Sequence, residues 1–289
     1  MLPENIRSTR CVYCASPNVV NRPSTDDRPE PTLVLPFVVG EDRARSFARE
    51  WLKTRGLFRE PALKRASLDE IRSVYLPAYL VSGAAHTEYH AEIGEDYRET
   101  EHYTTTDDKG NEVTKTRTVT RTEWRPLSGT HASYLESLVS ASRGLKNDEL
   151  EAVEPFDFRR ARRYGISMVS GWAVEEPSLT LEACVRTAHQ EMLTVIGRRI
   201  SKFMPGDSHR DLTHSTKIKN QSSSLVLVPI WVLAARFDAK SEPVRIVMNG
   251  QSGRIHGQAP YSIVRIALAV TLGVLLVVTT YFLLTRGGR

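Results

Sequence analysis

Apolar positions recur with a helical period in some stretches of this chain and a strand period in others, and its last stretch is apolar throughout. Residues 33–39 (LVLPFVV) read as a short apolar strand. They lead into a helix predicted over about 42–55, where Ala44, Phe47, Ala48, Trp51 and Leu52 share one face and Gly56 supplies a stop. From 74 to 124 the period becomes two. After the apolar run 74–81, Ala85, Thr87, Tyr89, Ala91 and Ile93 alternate with His86, Glu88, His90 and Glu92. Segments 97–106 and 112–124, rich in Thr, Tyr and Arg, flank Asp107-Asp108-Lys109-Gly110-Asn111 and predict a β-hairpin. The hairpin is polar on both faces, so it is expected to project into solvent or onto a partner. Residues 130–163 show no single period. Residues 178–203 predict a long amphipathic helix with Leu181, Cys184, Val185, Ala188, Met192, Val195, Ile196, Ile200 and Phe203 as its stripe, ended by Pro205-Gly206. Strand patterns return at 225–233 and 243–248, then a turn at 249–253 and a short run at 254–257.

The chain closes on the uncharged run 266–285, bracketed by Arg265 and Arg286. A helix of that length rises about 30 Å, the thickness of a bilayer's hydrocarbon core. Its missing polar face sets it apart from a core helix, and the flanking arginines suit lipid headgroups. The first residues (MLPENIRSTR) hold no apolar stretch of the signal-peptide kind, so the body is expected to stay in the cytoplasm.

These patterns predict an α+β fold: a cytoplasmic body of antiparallel β units with a long hairpin and a long amphipathic helix, plus one C-terminal transmembrane helix. The expected organisation is a knuckle segment and linker over 1–30, the body over 31–260 and an anchor over 261–289. Within the body, Leu76-Pro77-Ala78-Tyr79 and Val228-Pro229-Ile230-Trp231 both break an apolar strand with one proline before an aromatic. They suggest two related β units, at about 31–129 and 164–260.

Charge adds little to this picture. The net charge is +5 with arginines scattered, which suits a body lying near anionic lipid and gives no basic block for nucleic acid. Three cysteines make no disulfide framework and point to a reducing cytoplasm.

Candidate chemistry is sparse. Cys11-x-x-Cys14 has the spacing of a zinc knuckle, but a structural site needs four ligands and no second pair lies nearby. Zinc binding and a degenerate knuckle both remain open, with Cys11 and Cys14 as the candidate metal residues. Cys184, on the apolar stripe, reads as core. His86, Glu88 and His90 line one strand face, where alternate residues stand about 6.6–7 Å apart, so they do not converge on one ion without a bend. His209 and His214 fall in a stretch that reads as polar loop. No Walker loop, GxSxG or GxGxxG motif occurs, and a non-enzymatic protein is expected. A nucleic-acid reading would rest on the knuckle and on Arg98, Lys109, Lys115, Arg117 and Arg121 of the hairpin. Those residues are interleaved with acidic ones, which suggests cross-strand pairs instead.

Cys11-Val12-Tyr13-Cys14, Leu35-Pro36-Phe37, Val74-Tyr75-Leu76-Pro77, Arg121-Thr122-Glu123-Trp124, Ser170-Gly171-Trp172-Ala173-Val174-Glu175, Leu227-Val228-Pro229-Ile230-Trp231 and Asn249-Gly250-Gln251-Ser252-Gly253 occur in that order through nearly the whole chain. Taken together they resemble a bacterial family with an N-terminal transcription-factor-IIB-type zinc ribbon, a cytoplasmic α+β body and a C-terminal membrane anchor. Its members are often labelled primosomal-protein- or helicase-like. The family ribbon has two CxxC knuckles, and this chain resembles only the second, so either the metal is lost or the true start lies upstream of Met1. The resemblance implies a non-enzymatic adaptor at the bacterial inner membrane, recruiting phage-shock-protein-A-like or flotillin-like (SPFH) partners. A nucleic-acid-binding accessory protein is the alternative.

Overall fold

The computed structural model describes residues 29–286 except 55, 57, 107–109, 111 and 239–242. Cys11, Cys14 and the centre of the hairpin turn lie outside the described residues. Twelve elements follow in chain order: β1 (Leu33–Val34), α1 (Glu41–Lys53), β2 (Ser67–Thr106), β3 (Glu112–Ser140), α2 (Asn147–Val153), β4 (Arg162–Arg163), β5 (Ala173–Val174), α3 (Leu181–Phe203), β6 (Ser208–Arg236), β7 (Val244–Asn249), β8 (Ile255–Gly257) and α4 (Ile263–Arg286). The fold is α+β with long antiparallel strands. Strand order is β3-β2-β6-β1-β4, with β5 beside β2 and β7 between β6 and β8.

The chain forms two compact units that interleave along the sequence, one drawn from 1–79, 138–184 and 224–289, the other from 80–137 and 185–223. In the first unit, β7 pairs antiparallel with β6 from Ile230↔Asn249 to Ala235↔Val244, and β1 runs parallel to β6. The strand residues of this unit are buried in continuous runs, as both-sided burial demands. Ala44, Ala48, Trp51 and Leu52 of α1 form the helical stripe read from sequence and pack with Leu233, Ile246 and Met248. The indole of Trp231 donates to the Val39 carbonyl at 2.8 Å, so this buried ring keeps its one polar group bonded.

The turn after β7 is organised by Asn249, which is fully buried. Its side-chain amide donates to the carbonyls of Val153 (2.9 Å) and Pro155 (3.1 Å). Its side-chain oxygen accepts from the backbone of Gln251 (2.8 Å) and Ser252 (3.0 Å), an Asx-type closure. Gly253 sits at φ +77° with the Phe47 ring so close that a Cβ would lie 2.5 Å from it, so only glycine fits here.

The second unit is a three-stranded sheet under the rest of α3. Ala85, Thr87, Tyr89, Ala91 and Ile93 are buried, as their alternation requires. Ala188, Met192, Ile196 and Ile200 form the matching stripe of α3, while Leu193 and Phe203 stay exposed. Residues 208–223 are strand, including the stretch around His209 and His214 that read as polar loop. Ser82 meets Ser222, Thr87 meets Thr216, and Glu92 meets Arg210, each step slipping by one residue. The slips bracket Asn220 (φ 51°) and Asp211 (φ 52°). Each is a bulge that flips which side chains face the core, and two flips erase a period-two pattern. Where β6 begins, Asp207 donates its backbone N–H to the Gly94 carbonyl at 3.0 Å. Beyond that point β2 and β3 continue as a two-stranded ribbon, about a dozen residues a side and roughly 40 Å long.

Candidate functional site

Five of the stretches that carry the family resemblance meet in the first unit. Phe37 stacks on Trp172 at 4.3 Å with planes 6° apart, and presents its edge-to-face contacts to Tyr75 (5.2 Å) and Trp231 (5.4 Å). Gly250, which the Phe37 ring overlies, accepts through its carbonyl from the backbone of Val38 and Val39. β5 holds Trp172 in place by pairing parallel with Val74 and Tyr75 of β2. One side of the cluster is core; the other reaches solvent, with Trp172 38% exposed and Val38 and Val174 similarly open. A stacked aromatic pair that keeps an open apolar rim is a rigid anchor of the kind found at the centre of protein interfaces.

Glu175 follows directly. Its backbone N–H donates to the Tyr75 carbonyl at 3.0 Å, and its carboxyl accepts from the Ser142 hydroxyl. Burial pushes the carboxyl up to about 7, against the opposing pull of the Arg245 guanidinium. Arg245 itself donates to the Gly144 carbonyl at 2.7 Å and pairs with Glu149 at 3.3 Å.

In the second unit, the ribbon carries charge on both faces. Glu101 takes Arg117 (2.8 Å) and Arg121 (2.6 Å), and Arg121 also reaches Glu99 (2.6 Å). The two arginines, Arg117 first, hold the Glu101 carboxyl below its ordinary value. Arg125 bridges to Glu123 at 3.1 Å, and Thr122 donates to Asp96 at 2.7 Å. The contacts of Glu99 and Glu101 with Arg117 and Arg121 are the opposed cross-strand pairs expected of the sequence, whereas Arg125–Glu123 lies along one strand. The cross-strand pairs fix register on an exposed ribbon more than they stabilise it. At the ribbon's base, the Arg210 guanidinium lies 4.1 Å above the Trp124 ring and holds Glu92.

His86, Glu88 and His90 are exposed on the sheet face away from α3, and His90 Nδ1 shares a 2.9 Å hydrogen bond with Ser128. His209 and His214 lie on β6, His209 within 3.2 Å of Ser201. His189 bonds Gln221 at 2.6 Å. Among the described residues, no group of three His, Cys, Asp or Glu side chains is placed to hold a metal. Cys184 is a buried free thiol with its sulfur 3.6 Å from the Ser140 carbonyl, a core residue as its stripe position predicted.

α4 is long and apolar enough to cross a membrane: the stretch Ile263–Tyr281 has a mean hydropathy of 2.3 and is 0% buried within the chain. Its polar groups close on their own backbone. Thr271 donates to Ala267 (2.9 Å), Thr279 to Leu275 (2.8 Å) and Thr280 to Leu276 (2.8 Å). That is the arrangement a hydrocarbon environment requires.

Comparison with known proteins finds one similarity among curated proteins. The chain is 22% identical over 242 residues to the uncharacterized protein YdjG of Bacillus subtilis (strain 168), covering 80% of this chain and 64% of that protein. The chain thus spans just under two thirds of the curated relative it matches. No family model and no solved structure matches the chain.

Proposed function

We propose that the chain is a non-enzymatic, tail-anchored adaptor of the bacterial inner membrane, related to the zinc-ribbon family it resembles. α4 crosses the bilayer, the α+β body faces the cytoplasm, and the body recruits a soluble partner of the phage-shock-protein-A-like or flotillin-like kind. The observation that carries this reading is α4, which leaves a full membrane span's worth of apolar surface uncovered by the other described residues. Monomeric soluble proteins rarely expose contiguous apolar surface on that scale. The Phe37–Trp172 patch is the partner-facing surface, because it combines a rigid aromatic anchor with an open rim. Tethering such a surface raises the local concentration of whatever binds it.

Nucleic-acid binding through the hairpin is the lesser reading, since Arg117 and Arg121 are already engaged by Glu99 and Glu101. Zinc at Cys11 and Cys14 has no role in this account.

Carbonate or urea extraction tests the anchor. Full-length protein is expected in the membrane pellet and a chain ending at Pro260 in the soluble fraction. Full-length protein washed off by carbonate overturns the reading.

A further inference from the structure

The foot of α4 is clasped by one loop of the first unit. Arg59 bridges antiparallel to Tyr261, Glu60 donates its N–H to the Pro260 carbonyl at 3.1 Å, and Ser262 donates to the Phe58 carbonyl at 2.8 Å. The Arg59 guanidinium lies 3.7 Å from the Tyr261 ring centroid and donates to the Ala259 carbonyl. These bonds hold the loop level with the first turn of the helix. Phe58 and Tyr261 are both exposed there, beside Ile263 and Val264, so an apolar and aromatic surface continues from the helix onto the body. Lys64 and Arg65 are exposed at the far end of the same loop, and Arg265 stands one turn into the helix. Glu60 is the one acidic residue between 54 and 66.

Aromatic rings and the basic side chains of Arg59 and Arg265 where an apolar helix leaves the body, with Lys64 and Arg65 exposed further along the same loop, match the headgroup layer of a membrane. We propose that residues 58–65 with Tyr261 form an interfacial collar that lies on the membrane surface and binds anionic phospholipid headgroups. The proposal rests on the reading of α4 as a membrane span, and goes beyond it by assigning a lipid-binding surface to the body. Phe58 and Tyr261 sit among the headgroups, while Lys64 and Arg65 meet lipid phosphate. Each basic residue at an anionic surface strengthens attachment about fivefold and loses that effect within a Debye length as salt rises. The collar holds the first unit against the bilayer, so α4 acts as more than a flexible tether.

Hydrogen–deuterium exchange of the full-length protein in nanodiscs tests this. One set contains phosphatidylcholine alone, a second phosphatidylcholine with about 30% phosphatidylglycerol. Backbone amides of 56–66 are expected to exchange at least about threefold more slowly in the anionic discs. High salt and Lys64→Gln/Arg65→Gln should each abolish the difference while α4 stays protected in both lipids. Equal exchange of the loop in the two lipids, with α4 protected, overturns the collar and leaves the span intact. Slowing that survives both high salt and the double substitution also overturns it. An unprotected α4 overturns the span reading and the collar with it.

Discussion

Two arginines in the middle of α4 should release the protein from the membrane, and one should not suffice. Between Ile263 and Tyr281 the helix carries eleven Leu, Ile or Val residues. At about 0.3–0.6 kcal/mol each they favour insertion by roughly 3–7 kcal/mol. Leu272, at the centre of that stretch, and Leu276, one turn on, are both exposed, so replacing them disturbs no packing within the chain. Each Leu→Arg change removes a favourable residue and adds one that costs about 2.5–3.5 kcal/mol, a swing of roughly 3–4 kcal/mol. Leu272→Arg alone therefore leaves insertion between balance and about 3 kcal/mol favourable, and most full-length protein should stay in the pellet. Leu272→Arg with Leu276→Arg costs about 6–8 kcal/mol, which matches the upper end of the driving force and exceeds the rest of its range. The assay is density-gradient flotation of protein synthesised with liposomes, followed by carbonate extraction, with Leu272→Ala as the control. A double-arginine variant that floats and resists carbonate as the wild type does would refute the reasoning, because α4 would not be what holds the protein.

Five further outcomes concern the chain before α4. Asn249→Ala strands two carbonyls and two N–H groups in the core, so it should cost about 2–4 kcal/mol and lower the melting temperature by roughly 5–15 °C in thermal melts of detergent-solubilised protein; an unchanged melt would show that the turn does not depend on it. Glu175, raised from 4.5 to about 7 by burial, binds its proton more tightly folded than unfolded. Its contribution is thus complete below about 4.5 and lost as pH rises through 7. Melting temperature should fall over that window in the wild type and fall less in Glu175→Gln, and parallel pH profiles would contradict this. Trp172→Ala should weaken partner capture by about 30-fold or more, the loss typical of an aromatic anchor worth 2 kcal/mol, and lower the melt of the body modestly through the stacking lost on Phe37; undiminished capture would place the partner elsewhere. Purified protein should carry well under one zinc per chain by elemental analysis, and gel shifts should find no DNA or RNA binding tighter than micromolar at physiological salt.

The elements with one clean period were legible from sequence. α1 was expected at about 42–55 and occupies Glu41–Lys53; α3 was expected at 178–203 and occupies Leu181–Phe203. Each has an apolar stripe that meets a single packed surface, so periodicity and burial coincide. The hairpin was legible because two Thr-, Tyr- and Arg-rich segments flank a turn that carries glycine. Two regions were not. Residues 208–223 are strand, but bulges at Asp211 and Asn220 twice exchange the core-facing and solvent-facing positions. Residues 130–140 continue β3, yet Gly129 lies under the Tyr89 ring and His131 packs edge-on to Phe203 at 5.5 Å, contacts with residues far off in sequence. The aromatic patch was half legible. Its pieces stood out as separate strand fragments, but Phe37 and Trp172 lie 135 positions apart in sequence, and no local pattern could announce that they stack.

The adaptor role is tested most directly by where a partner goes. In cells lacking this gene, a fluorescently tagged phage-shock-protein-A-like or flotillin-like partner should leave the membrane, and the full-length chain should bring it back. The body ending at Pro260 should still co-purify with the partner while leaving it in the cytoplasm. Membrane localisation restored by the tail-less body as fully as by the complete chain would contradict recruitment through α4.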